Sequence, residues 1–98
     1  MGRARVTRLA GIVHVRLAPL LLRLFPHAEP VVDLEAGDVA AMIDALDARW
    51  PGMADCIRDT SPAVRRHISI FVEGRRATLD MPLSPGTDVF IMTAISGG

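Results

Sequence analysis

Asp88-Val89-Phe90-Ile91-Met92-Thr93-Ala94-Ile95-Ser96-Gly97-Gly98 is the stretch whose reading decides the fold. Val89–Ala94 is apolar on both faces of an extended chain, as a strand in the middle of a sheet is. It runs directly into Ile95-Ser96-Gly97-Gly98. A stiff strand followed by two glycines presents a short tip without bulk. Gly97 and Gly98 lack a Cβ and take backbone conformations that other residues avoid. They can also enter a tunnel too narrow for a side chain, with the Gly98 carboxylate as the working group. A Gly-Gly pair alone is an unspecific motif, so the rest of the chain has to decide.

Working outward, the chain of 98 residues is one domain's worth. Half of it is hydrophobic, enough for one modest core. Eleven basic residues, all Arg, balance eleven acids. This excludes the basic surplus that drives nucleic-acid binding. Arg3, Arg5, Arg8 and Arg16 gather near the start, and Asp33, Glu35, Asp38, Asp44 and Asp47 follow in the middle. Cys56 is the single cysteine, so no disulfide can form within the chain, and a reducing compartment is expected. His14 and Arg16 interrupt the early apolar run too soon for a signal peptide, and no run approaches the ~20 apolar residues of a membrane span. Gly2 lacks the Ser or Thr that myristoylation wants, because Val6 stands there. The expectation is a cytoplasmic protein with no membrane or nucleic-acid partner.

In chain order, residues 1–11 are expected to form a flexible arm. From Ile12 to Leu17 the residues alternate, with Val13, Val15 and Leu17 pointing one way, a half-buried strand. Pro19 ends it, and Leu20–Phe25 is read as an apolar connector. Val31–Leu34 is a second strand, paired antiparallel with the first because the connection is short. Asp38 is placed to cap a helix. Val39, Met42, Ile43, Leu46 and Trp50 then follow helical spacing, and Pro51-Gly52 stops the run. Met53–Pro62 is irregular or a single turn. Ile68–Val72 is a third strand, Glu73-Gly74 a turn, Arg75–Leu79 a short fourth strand, and Val89–Ala94 the last. The class is α+β: one mixed sheet of four to five strands packed on one main helix. The domain spans residues 12–94, and 95–98 form an exposed tail.

Glu35-Ala36-Gly37-Asp38-Val39, Leu46–Gly52, Ile70–Arg75, Leu83–Val89 and Ala94–Gly98, in that order and spacing, are together fairly specific. In these stretches the chain resembles the MoaD/ThiS sulfur carriers of the ubiquitin-like β-grasp fold. Its longer connector from Asp55 to Arg66 looks more like the molybdopterin synthase small subunit or the cysteine-synthesis sulfur carrier than the minimal thiamine one. The Arg75–Leu83 segment is shorter than is usual in that family. The resemblance implies that Gly98 is adenylated with ATP by a ubiquitin-activating-type enzyme. A sulfide or persulfide then displaces AMP, and the thiocarboxylate delivers sulfur inside a synthase subunit. The chain would be a carrier rather than an enzyme, with no bound cofactor or metal. Molybdopterin synthesis comes first among the pathways, then cysteine or another sulfur metabolite. A ubiquitin-like modifier conjugated through Gly98, or a β-grasp interaction domain, are the alternatives.

A C-terminal carboxylate ionises near 3.3–3.7 and is a poor acyl electrophile until activated. Ile95–Gly98 extended spans at most about 13–14 Å, enough to reach a buried site from outside. The expected partner surface is the sheet face away from the helix. Ile70 and Val72, with Val89 and Ile91, point to the helix, so Phe71, Phe90 and Met92 point outward, continuing into Ile95 and Ser96. A slip of one residue in register would exchange the faces.

Overall fold

A computed structural model describes residues 11–61 and 63–93. Eight elements follow one another: β1 (Gly11–Leu17), α1 (Pro19–Leu24), β2 (Val31–Ala36), α2 (Val39–Arg49), α3 (Met53–Ile57), β3 (Ile68–Val72), β4 (Arg75–Arg76) and β5 (Asp88–Thr93). The sheet has five strands in the order β2-β1-β5-β3-β4. β1 and β2 pair antiparallel, as expected from their short connection. β5 lies parallel to β1 and antiparallel to β3. The last strand is thus the central one, bonded on both edges, which is why it can be apolar on both faces. The expected α+β class, the mixed sheet and the central place of the last strand are all observed.

One face of the sheet makes the core. Val13, Val15 and Leu17 from β1, Val32 and Leu34 from β2, Ile68, Ile70 and Val72 from β3, and Val89 and Ile91 from β5 are all buried. Val39, Met42, Ile43 and Leu46 of α2 close over them with no exposed surface, joined by Met53 and Ile57 of α3. Trp50, expected as part of the helical stripe, is instead the residue that ends α2 and is only half-buried. Cys56 is a half-exposed free thiol packed against this core.

The start of α2 is built as the sequence predicts. An Asp38 carboxylate oxygen accepts the Ala41 N–H at 2.7 Å. The two amides before it are met by loop carbonyls, Val39 by Met81 at 3.0 Å and Ala40 by Leu79 at 2.9 Å. Together they satisfy donors that a helix start leaves open. The same bonds explain a difference from the sequence reading. The fourth strand was expected over Arg75–Leu79 but covers only Arg75–Arg76, because the chain beyond it turns to cap α2.

Leu20–Phe25 also differs from expectation. The apolar connector is mostly helical: Pro19–Leu24 is a short helix with Pro in its first turn and Leu21 buried. Proline suits that position, since the N–H it lacks would have no partner there. Between α2 and α3, Asp47 accepts the amides of Gly52 and Ala54, each at 3.0 Å. Gly52 has φ +99°, a conformation open to glycine at little cost. Glu73 and Gly74, with φ +50° and +83°, form the tight turn that positive φ at both positions permits. β1 starts at Gly11, one residue inside the expected arm, and pairs there with Ala36.

Candidate functional site

The face of the sheet opposite α2 is where the structure gathers the expected partner-binding residues. Residues directly opposite each other on neighbouring strands share a face. Phe71 of β3 pairs with Phe90 of β5, and Ser69 pairs with Met92. Arg16 of β1 pairs with Phe90 on one side and with Val31 of β2 on the other. Arg76 of β4 lies opposite Phe71. A row Val31–Arg16–Phe90–Phe71–Arg76 therefore crosses the whole sheet. Phe90 and Met92 are 37% and 39% exposed, Val31 is 51% exposed, and Phe71 is half-buried between its neighbours. The register expected for both strands is the observed one.

Val31, Arg16, Phe90, Phe71 and Met92 line a shallow depression of about 510 Å³. Its polar lining, His14, Arg16, Glu73 and Asp88, comes from the same strands and the turn after β3, and beside it on the same face lies a further polar pair. Arg76 donates to Ser69 Oγ at 2.7 Å. Beyond the Phe pair, Glu73 accepts the Asp88 N–H at 2.9 Å, which fixes the β3–β4 turn against the start of β5. On β1, His14 Nδ1 lies 2.7 Å from Asp33 Oδ1 of β2. The hydrogen bond to the Asp33 carboxylate raises the His14 pKa above its ordinary 6.5, its negative charge adds to this, and the slight burial of the ring opposes it. Glu35 and Ile12 face each other one step further out, with Ile12 48% exposed. An apolar centre with a charged rim is the composition of a protein-docking surface. Among the described residues no group of His, Cys, Asp or Glu is arranged to hold a metal ion, and no helix is long and apolar enough to cross a membrane.

Of the expected site residues, Phe71, Phe90 and Met92 are brought together. Ile95, Ser96, Gly97 and Gly98 lie outside the described residues. Thr93 is the last described residue, opposite Ile68 on β3, one position beyond Met92. The sequence reading missed Val31, Arg16 and Arg76 as members of this surface. Alternation already turned Arg16 away from the core, but only the strand order puts it beside Phe90.

No family profile matches the chain, and no curated protein sequence matches it. Solved structures do. A chain of the Amycolatopsis orientalis BexX/CysO complex superposes with a TM-score of 0.77 at 23% identity, covering 88% of this chain and 99% of that one. Small archaeal modifier protein 1 (SAMP1) of Haloferax volcanii gives 0.76 at 20% identity, over 90% and 100% of the two chains. A putative molybdopterin converting factor subunit 1 from Pyrococcus furiosus gives 0.66 at 17% identity, over 88% and 100%. The fold is the ubiquitin-like β-grasp. At the level of the fold, the resemblance found in the sequence is borne out.

Proposed function

We propose that this chain is a sulfur carrier that works through Gly98. The observation that carries the reading is the position of β5. The strand is bonded on both edges and brings the chain to Thr93, from which Ala94–Gly98 continue. A rigid central strand ending in a segment without bulk suits a carboxylate that must enter another protein's active site. In the proposed cycle a Gly98 carboxylate oxygen attacks the α-phosphorus of ATP in an adenylating enzyme, and pyrophosphate leaves. A sulfide sulfur then attacks the acyl carbon and displaces AMP, leaving a thiocarboxylate. That sulfur then attacks an electrophilic acceptor held by a synthase subunit to form an acyl thioester, and water cleaves its C–S bond, leaving the sulfur on the acceptor and returning the carboxylate. The chain is consumed and regenerated, and it supplies no catalytic group of its own. The names of the superposed proteins support such a role, since one comes from a complex with BexX and one is called a molybdopterin converting factor subunit. Molybdopterin synthesis is the pathway proposed first, and cysteine or another sulfur metabolite second.

The superposed small archaeal modifier protein favours a second reading, a ubiquitin-like modifier joined through Gly98 to protein amines. Intact-mass measurement separates the two. Incubation with an adenylating enzyme, ATP and sulfide is expected to add the mass difference between sulfur and oxygen to the free chain. Protein adducts without that change would favour the modifier, and neither product would refute both readings.

A further inference from the structure

A second apolar surface is built around α1. This helix follows β1 at the end of the sheet where β5 reaches Thr93, since Leu17 stands opposite Ile91. Leu20 and Leu24 are one helical turn apart, so they share a face, and they are 40% and 56% exposed. A depression of about 280 Å³ has Leu20, Leu24, Cys56, Ile68 and Thr93 in its wall. Another, of about 310 Å³, is walled by Leu24, Phe25, Pro26, Trp50 and Pro51. Leu24 lines both, so the two adjoin. The fixed charges around them are of one sign. Arg65 borders the first and Arg49 the second, and Arg23 stands exposed next to Leu24. No acid lines either depression. The ion pairs among the described residues, His14–Asp33 and Arg58–Asp44, use none of these three arginines. The chain as a whole is neutral, so the basic character is local. The open sheet face differs, with Glu73 and Asp88 beside its cationic side chains.

We propose that this surface docks an acidic amphipathic helix of a partner protein, with one apolar side chain in each depression and carboxylates over Arg23, Arg49 and Arg65. Apolar anchors four or seven residues apart on a helix stand about 6 or 10 Å apart. That spacing serves two adjoining depressions, as in other grooves that take a helix. Aromatic walls with arginine nearby are favoured at interface centres. Burial of the anchors supplies the affinity, and the arginines select acidic over basic sequences. Concave walls suit discrete side chains, which a bilayer does not present, although anionic headgroups would meet the same arginines. The two depressions share no residue with the one at Phe71 and Phe90, so this is a separate docking surface. The proposal does not depend on sulfur transfer and is tested without it.

The test uses the full chain and the amide shifts in its NMR spectrum. The probe is a synthetic helix-forming peptide with Leu at i, i+4 and i+7 and Glu and Ala elsewhere. Saturable shifts are expected at Leu20, Leu24, Trp50, His67 and Thr93, with Phe71 and Phe90 unmoved. The same peptide with Lys for Glu is expected to leave the spectrum unchanged. Leu24→Ser is expected to weaken binding about tenfold. Arg23→Gln combined with Arg49→Gln is expected to weaken it about fivefold. All three side chains are exposed, so the fold is kept, which the melting temperature checks. No saturable shift, shifts centred on Phe71 and Phe90, or equal binding of the Lys peptide would overturn the proposal. So would an affinity that neither variant changes. Vesicles of phosphatidylserine and phosphatidylcholine form the other arm. If the chain binds them through Leu24, with no saturable binding of the peptide, the surface belongs to a membrane and the proposal is overturned.

Discussion

Asp38 holds the first turn of the main helix through a single 2.7 Å bond to the Ala41 amide. Asp38→Ala is expected to cost about 1 kcal/mol, read from the denaturant midpoint at unchanged slope. The loop carbonyls of Leu79 and Met81 still serve their own amides, so the loss stays local. His14 carries a pH dependence. Asp33 favours its protonated form in the folded chain, raising its pKa. The stabilisation from the pair is therefore complete below the unfolded value near 6.5 and is lost as pH rises through the folded value. Titration of the imidazole by NMR should show a midpoint above that of the Asp33→Asn variant. The stability difference between the two proteins should shrink on the alkaline side. Asp38 was legible from the sequence because a cap acts over three residues. The His14–Asp33 pair was not, since those positions meet only when β1 and β2 align.

At the scale of elements, α2 was legible because Val39, Met42, Ile43 and Leu46 repeat with the helical period, and all four are fully buried. Leu46→Ala is expected to cost about 2–5 kcal/mol in equilibrium unfolding. α1 escaped the reading because six residues between prolines, apolar on nearly every side, carry no period. The fourth strand was drawn too long because its end is set by α2, far away in sequence, whose amides draw the chain aside. For β3 and β5 the alternation was enough to assign faces, and Phe71 and Phe90 stand opposite each other on the outer one. Phe71→Arg breaks that pair and puts a second guanidinium across from Arg76. A modest loss, about 0.2–1 kcal/mol, is expected, together with weaker binding to the adenylating enzyme or the sulfur acceptor. Calorimetric titration against both would check this, and full affinity for each would remove the open face from the docking surface.

For the molecule as a whole, the core closes between the sheet and α2. Under the proposed function, Gly97→Trp is expected to leave the melting temperature unchanged while abolishing adenylation. Normal adenylation of that variant would argue against a narrow entry channel. Among the described residues, the last strand in chain order is also the middle one. Until Thr93 has left the ribosome, β1 and β3 have no partner between them, and the sheet is available only as two separate pairs, β1–β2 and β3–β4. Folding must therefore await long-range pairing across nearly the whole chain, the kind that forms slowly. A chain cut within β5 would lose Ala94–Gly98 together with the strand that unites the sheet, exposing two edges open to aggregation. An adenylating enzyme that reads the folded surface and the tip together would then pass over truncated chains without any separate inspection.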